Sequence, residues 1–153
     1  IFNFTSGGYK SIKFRNVNSD GSAAQTTGFV DTDFPLFRAA DAYLMLAECA
    51  ARGAADNAKG LAAYNAVRER AGVPTASSIT PEDVLNERGR ELLWEGHRRS
   101  DLIRFGKFTT ADYLWEYKGS VKEGAAVADY RNLFPLPPAD VNANSNLKQN
   151  AGY

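Results

Sequence analysis

The spacing of apolar residues changes at Phe34-Pro35. Upstream, Ile12 and Phe14 alternate with Lys13 and Arg15, a two-residue period, and the Gly7-Gly8 breaker divides residues 1–15 into extended pieces. Residues 16–32, rich in Ser, Asp, Gly, Gln and Thr, follow as an exposed loop without a phosphate-binding pattern. Downstream the period becomes helical. Ala40, Tyr43, Leu44, Ala47 and Ala51 share one face, and Leu46 and Ala50 widen it until a largely buried helix is predicted, stopping at Gly53. A second helix opens at the capping residue Asp56, carries Ala63, Tyr64, Val67 and Ala71 on one stripe, and ends at Gly72-Val73-Pro74. Small residues on the facing surfaces allow these two to close as an antiparallel hairpin.

A third start is written in Thr80-Pro81-Glu82-Asp83, with Thr as N-cap, Pro in the first turn and acids beside it. The periodicity carries this helix through Trp94 to Glu95 and Gly96, and a shorter helix runs from Arg98 to Phe105 before Gly106. Residues 113–117 read as a turn of helix or an aromatic loop, and 118–129 as loop. Leu133-Phe134-Pro135-Leu136-Pro137-Pro138 forms an extended arm, because proline excludes helix from it. The Asn-rich end, residues 142–153, is expected to lie on the surface with little regular structure. The predicted class is mainly α, helical hairpins with long irregular loops and extended termini: an extended segment and loop over residues 1–33, and a helical unit over 34–153.

Composition narrows the chemistry. The 153 residues are 44% hydrophobic and 24% charged with a formal net charge of zero, which is globular and gives no field to draw nucleic acid or an anionic membrane. One cysteine, Cys49, precludes an internal disulfide, and its small-residue surroundings predict a buried, inert thiol. His97 is the lone histidine, read as a helix-corner residue; no second His or Cys stands at ligand spacing, so a zinc site is not expected. No nucleotide fingerprint, P-loop or nucleophile elbow occurs. Calcium bound through loop Asp, Asn and backbone oxygens is the one cofactor left open, although the regular calcium-loop pattern is missing.

The densest chemistry lies in residues 87–104, ERGRELLWEGHRRSDLIR. Glu87, Glu91 and Glu95 recur every four residues, with Arg90, Arg98, Arg99, Asp101 and Arg104 at spacings of three or four from opposite charges. Paired carboxylates suggest a hydrolase, but the arginines depress the pKa that a general acid needs raised. The predicted role is therefore a structural ion-pair lattice of Glu87, Arg90, Glu91, Glu95, Arg98, Arg99, Asp101 and Arg104, and no catalytic residue is expected. Aromatic rings suited to stacking on sugar faces are Trp94, Tyr113, Trp115 and Tyr117. Of these, Trp94 on its helix is expected in the core, while the alternation Tyr113, Trp115, Tyr117 is compatible with exposing one face.

Four stretches, in order, resemble the C-terminal part of the SusD/RagB family of nutrient-binding outer-membrane lipoproteins of Bacteroidetes. These are residues 34–48 (FPLFRAADAYLMLAE), 64–73 (YNAVRERAGV), the charged block continuing into Phe105-Gly106, and the closing NLFPLP and NLKQNAGY at 132–137 and 146–153. Ser145 and Ala151 stand where that ending often carries Pro. Gly8-Tyr9-Lys10 and Ile12-Lys13-Phe14 are similar to a preceding basic segment. The resemblance implies tetratricopeptide-like hairpins and a piece of a longer protein, without the lipidated cysteine and most of the helical repeats. It further implies non-catalytic capture of oligosaccharide or another nutrient at the cell surface, and delivery to a SusC-like TonB-dependent transporter. A helical-repeat scaffold binding a protein partner without sugar affinity is the alternative.

Overall fold

The computed structural model describes residues 13–26 and 28–153, so the extended reading of residues 1–12 lies outside the described residues. The elements are α1 (Ala39–Ala51), α2 (Asn57–Arg70), α3 (Pro81–Glu91), α4 (Arg98–Arg104) and α5 (Pro138–Ala143), with 3-10 turns at Lys118–Ser120 and Asp129–Asn132. Among the described residues no strand forms; one antiparallel bridge joins Val17 to Ala23 within the upstream loop. The architecture is mainly α, built on a tetratricopeptide-like hairpin of α1 and α2 against which α3 packs.

The helix starts follow from capping chemistry. Asp56 accepts from the Lys59 N–H at 2.9 Å. Thr80 and Asp83 form a reciprocal capping box, each side chain accepting from the other's backbone N–H. The predicted stops Gly53, Gly72 and Gly106 all adopt left-handed φ, at 79°, 71° and 69°. Ala40, Leu44 and Ala47 of α1, Tyr64 and Val67 of α2 and Val84 of α3 make the core, with Leu44 and Val84 fully buried. Burying each of those two contributes roughly 1.5–3 kcal/mol. Gly60 sets the hairpin spacing: a Cβ built on it would lie 2.1 Å from the Ala50 Cβ, so α1 and α2 meet backbone to side chain there. The Asn65 amide closes the loop after α2, donating to Ala76 O at 2.9 Å and accepting from Ala76 N–H at 2.8 Å.

Several expectations are corrected. Helix α1 is not largely buried: Tyr43, Met45 and Leu46 are exposed, because α2 and α3 cover only the stripe through Leu44 and Ala47. Cys49 is exposed as well, since five residues place it about 140° around the helix from Leu44. Helix α3 stops at Glu91, short of Trp94 and Gly96. Leu92 stays buried, Glu95 N–H turns back onto Leu92 O at 3.1 Å, and Trp94 takes φ 66° with 68% of its surface exposed. Trp94 is therefore neither helical nor core. Pro138, read as part of the arm, instead opens α5 as its first residue, while residues 113–117 take the loop form of the two predicted for them.

Candidate functional site

A charged network explains the break after Glu91. Arg38, at the N-cap of α1, grips both oxygens of Glu95 at 2.7 Å and Glu91 Oε1 at 2.9 Å. The chain turns at 92–96, with positive φ at Trp94 and Gly96, and both carboxylates meet one guanidinium across that turn. Lys13 also pairs with Glu95, and Arg70 with Glu91 at 2.5 Å. Glu87 accepts from Arg68 at 2.8 Å and from Arg90 at 2.6 Å.

A second chain of charges runs beneath it. Arg88, 3% exposed, donates to Asp41 on α1 at 2.7 Å and to Asp101 on α4 at 2.9 Å. Arg104 donates to both oxygens of Glu48, at 2.9 and 2.8 Å, and to Asp101 at 2.8 Å. Burial pushes the carboxyls of Glu48, Glu87 and Glu95 up. The hydrogen bonds and charge of their cationic partners outweigh it and leave all three below the usual range.

Of the predicted lattice, Glu87, Arg90, Glu91, Glu95, Asp101 and Arg104 carry ion pairs, whereas Arg98 and Arg99 form none among the described residues. Arg98 donates to Leu85 O at 2.7 Å and to the Tyr113 hydroxyl at 2.6 Å, lying over that ring. Arg99 donates to Arg131 O and Asn132 O at 2.9 and 3.1 Å, between the faces of Phe134 (3.8 Å) and Phe108 (5.0 Å). Counting charges along one helix missed Arg88, Asp41, Glu48, Arg38, Arg68 and Arg70, whose partners lie across helices.

The four candidate rings fall into two depressions. Trp94 and Tyr113 border a cleft of about 650 Å³ where α3 meets α4. Trp115 and Tyr117 border a smaller one of about 280 Å³, joined by Phe108, Phe134, Tyr153 and Lys118. Trp115 stacks on Phe108 at 6.0 Å and remains 40% exposed; Tyr117 adopts φ 65° and is 60% exposed. Lys118 fixes this loop from inside. Its ammonium, 4.8 Å from the Trp115 ring, donates to Thr110 O at 2.5 Å and Tyr113 O at 2.7 Å. Loss of water holds it below the usual lysine range, against the opposing charge of Asp112. Phe108, Phe134 and Lys118 were not among the candidates; Phe134 was read only as part of the arm. Among the described residues no three His, Cys, Asp or Glu side chains gather to hold a metal, and no helix is long and apolar enough to cross a membrane.

The described residues thus form a tetratricopeptide-like helical hairpin with an aromatic-lined loop region and an internal charge network. The SusD family model matches residues 1–153, and the chain belongs to that family. It is 42% identical over 154 residues to the starch-binding protein SusD of Bacteroides thetaiotaomicron, covering 100% of this chain and 27% of that one. Surface glycan-binding protein A from Bacteroides uniformis superposes with a TM-score of 0.66 at 28% identity, over 77% of this chain and 27% of that one. The Bacteroides thetaiotaomicron surface glycan-binding protein A, solved in complex with laminarihexaose, gives 0.65 at 25% identity, over 87% and 28%. The chain thus spans about a quarter of the length of the relatives it matches.

Proposed function

We propose that this chain belongs to a non-catalytic protein of the outer-membrane cell surface that binds oligosaccharide and delivers it to a SusC-like TonB-dependent transporter. Its attachment to the membrane is through a lipid anchor. The observation that carries the reading is family membership over the whole chain, together with a 42% identical relative named as starch-binding. The depression bearing Trp115 and Tyr117 suits it, because exposed rings on a braced loop present flat apolar faces to pyranose C–H groups. The protein is not an enzyme: its clustered carboxylates are held ionised by arginines, the reverse of what a general acid requires.

The test is calorimetric titration of the full-length protein with maltotetraose and a laminari-oligosaccharide. Trp115→Ala is expected to weaken binding about tenfold, roughly 1.4 kcal/mol. The competing reading, a scaffold without sugar affinity, is favoured by the exposed apolar face of α1 at Tyr43, Met45 and Leu46. Absence of binding across a polysaccharide panel, with stable transporter association, establishes the scaffold instead.

A further inference from the structure

Of the five arginines on α3 and α4, three are neutralised by carboxylates and two are not. Arg88, Arg90 and Arg104 have acidic partners within 2.9 Å. Arg98 and Arg99, both half-buried, meet only carbonyls, one hydroxyl and aromatic faces. Cations partly withdrawn from water without a counter-charge are electrostatically unsatisfied. Arg98 borders the 650 Å³ cleft, whose lining contains no carboxylate side chain, whereas the Arg99 guanidinium lies between two rings of the smaller depression. The nearby acids of the lattice are engaged elsewhere, Glu87 by Arg68 and Arg90, and Glu91 and Glu95 by Arg38.

Two further features shape the cleft. Gly89 lies within α3, where glycine is unfavourable, and a Cβ there would come 3.0 Å from Arg98 Nη1; its absence gives the guanidinium room across the helix. Trp94, in the left-handed region that bulky residues avoid, holds its ring out at the rim. Such a conformation at a cleft mouth is where strain and binding commonly coincide.

We propose that this cleft is an acid-sugar subsite, in which Arg98 receives the carboxylate of a uronic-acid residue while Trp94 stacks on the pyranose face. The assignment rests on the oligosaccharide reading above and narrows its ligand class. A planar guanidinium matches a carboxylate in both charge and shape, and a neighbouring ring supplies the apolar complement that a sugar face requires. The volume falls within the range of small-molecule sites.

The experiment titrates the full-length protein with tetragalacturonate, maltotetraose and a tetraglutamate peptide at low and high NaCl. Tetragalacturonate is expected to bind at least tenfold more tightly than the peptide, and more weakly as salt rises, whereas maltotetraose is insensitive to salt. Arg98→Gln should lower tetragalacturonate affinity about tenfold and leave maltotetraose unchanged. Arg98 also holds Leu85 O, so Trp94→Ala, at an exposed ring, provides the independent variant and should show the same selectivity. Trp115→Ala should give the opposite pattern. Maltotetraose binding without tetragalacturonate binding, or indifference to both cleft variants, overturns the acid-sugar subsite and leaves the oligosaccharide reading standing. Equal affinity for the peptide overturns the sugar assignment. If none of the saccharides binds, both readings fall.

Discussion

Arg88 is the residue whose loss should be felt most widely. Among the described residues its guanidinium is the only side chain bonded to the Asp41 carboxylate and one of two bonded to that of Asp101, whose Oδ2 is buried without a partner there. Arg88→Met keeps most of the volume but leaves two carboxylates, 8% and 1% exposed, short of a cation. Breaking a buried pair by removing one partner costs about 3–5 kcal/mol. Because Arg104 still serves Asp101, the lower part of that range applies, about 3–4 kcal/mol. At roughly 2–4 °C per kcal/mol for a domain of this size, the melting midpoint should fall by roughly 6–16 °C. Circular dichroism under heat and urea measures it. Combining Arg88→Met with Asp41→Leu removes the stranded acid and should recover about half the loss; added to the cost of Asp41→Leu alone, this gives a coupling of at least roughly 1.5–2 kcal/mol in a double-mutant cycle. A loss below about 1 kcal/mol for the single variant, or additivity in the pair, refutes the triad as the tie between α1, α3 and α4.

Two other outcomes follow from the same geometry. Gly60→Ala should separate α1 from α2, costing about 1–3 kcal/mol in urea denaturation, since its methyl has no room beside Ala50; an unchanged midpoint would mean that the hairpin gives way easily. Glu48, Glu87 and Glu95 all have folded pKa values below the ordinary 4.5, so their stabilisation is present above that pH and is lost as pH falls through the lowered values. Urea midpoints should be level from pH 7 to 5 and drop by pH 3, and a midpoint sustained at pH 3 contradicts the ion-paired assignment.

The helix beginnings were legible because each is a local transaction: Asp56 and Thr80 find their N–H partners within three residues. So were the stops, where glycine meets a left-handed requirement. The break at 92–96 was not. The four-residue recurrence of Glu87, Glu91 and Glu95 imitates one continuous helix, and what ends it is Arg38, more than fifty residues away, drawing two of these acids together. The same non-local cause hid Trp94's exposure and turned Arg98 and Arg99 from lattice members into cations facing carbonyls and rings. Cys49 failed for a simpler reason: a run of small residues says nothing about which side of the helix is covered. Of the candidate rings, Trp115 and Tyr117 share a depression that alternation in 113–117 hinted at, but Phe108 and Phe134 reach it from segments that sequence spacing does not connect, and the neighbouring Lys118 turns inward beneath it.

The arm at residues 131–136 is held in an unusual way. Arg99 takes the carbonyls of Arg131 and Asn132, Tyr153 the carbonyl of Leu133, Asn150 that of Phe134, and Gln149 both polar groups of Leu136. Each of these hydrogen bonds grips main chain, which every amino acid possesses, while the arm's Leu133 and Phe134 side chains remain exposed. Anchorage and identity are thereby largely uncoupled: the fasteners sit on α4 and the C-terminal tail, and of the side chains they display Phe134 lies against one of them, its ring 3.8 Å from the Arg99 guanidinium. A surface organised in this way can acquire new specificity by substitution in the arm alone, on a mount that stays fixed.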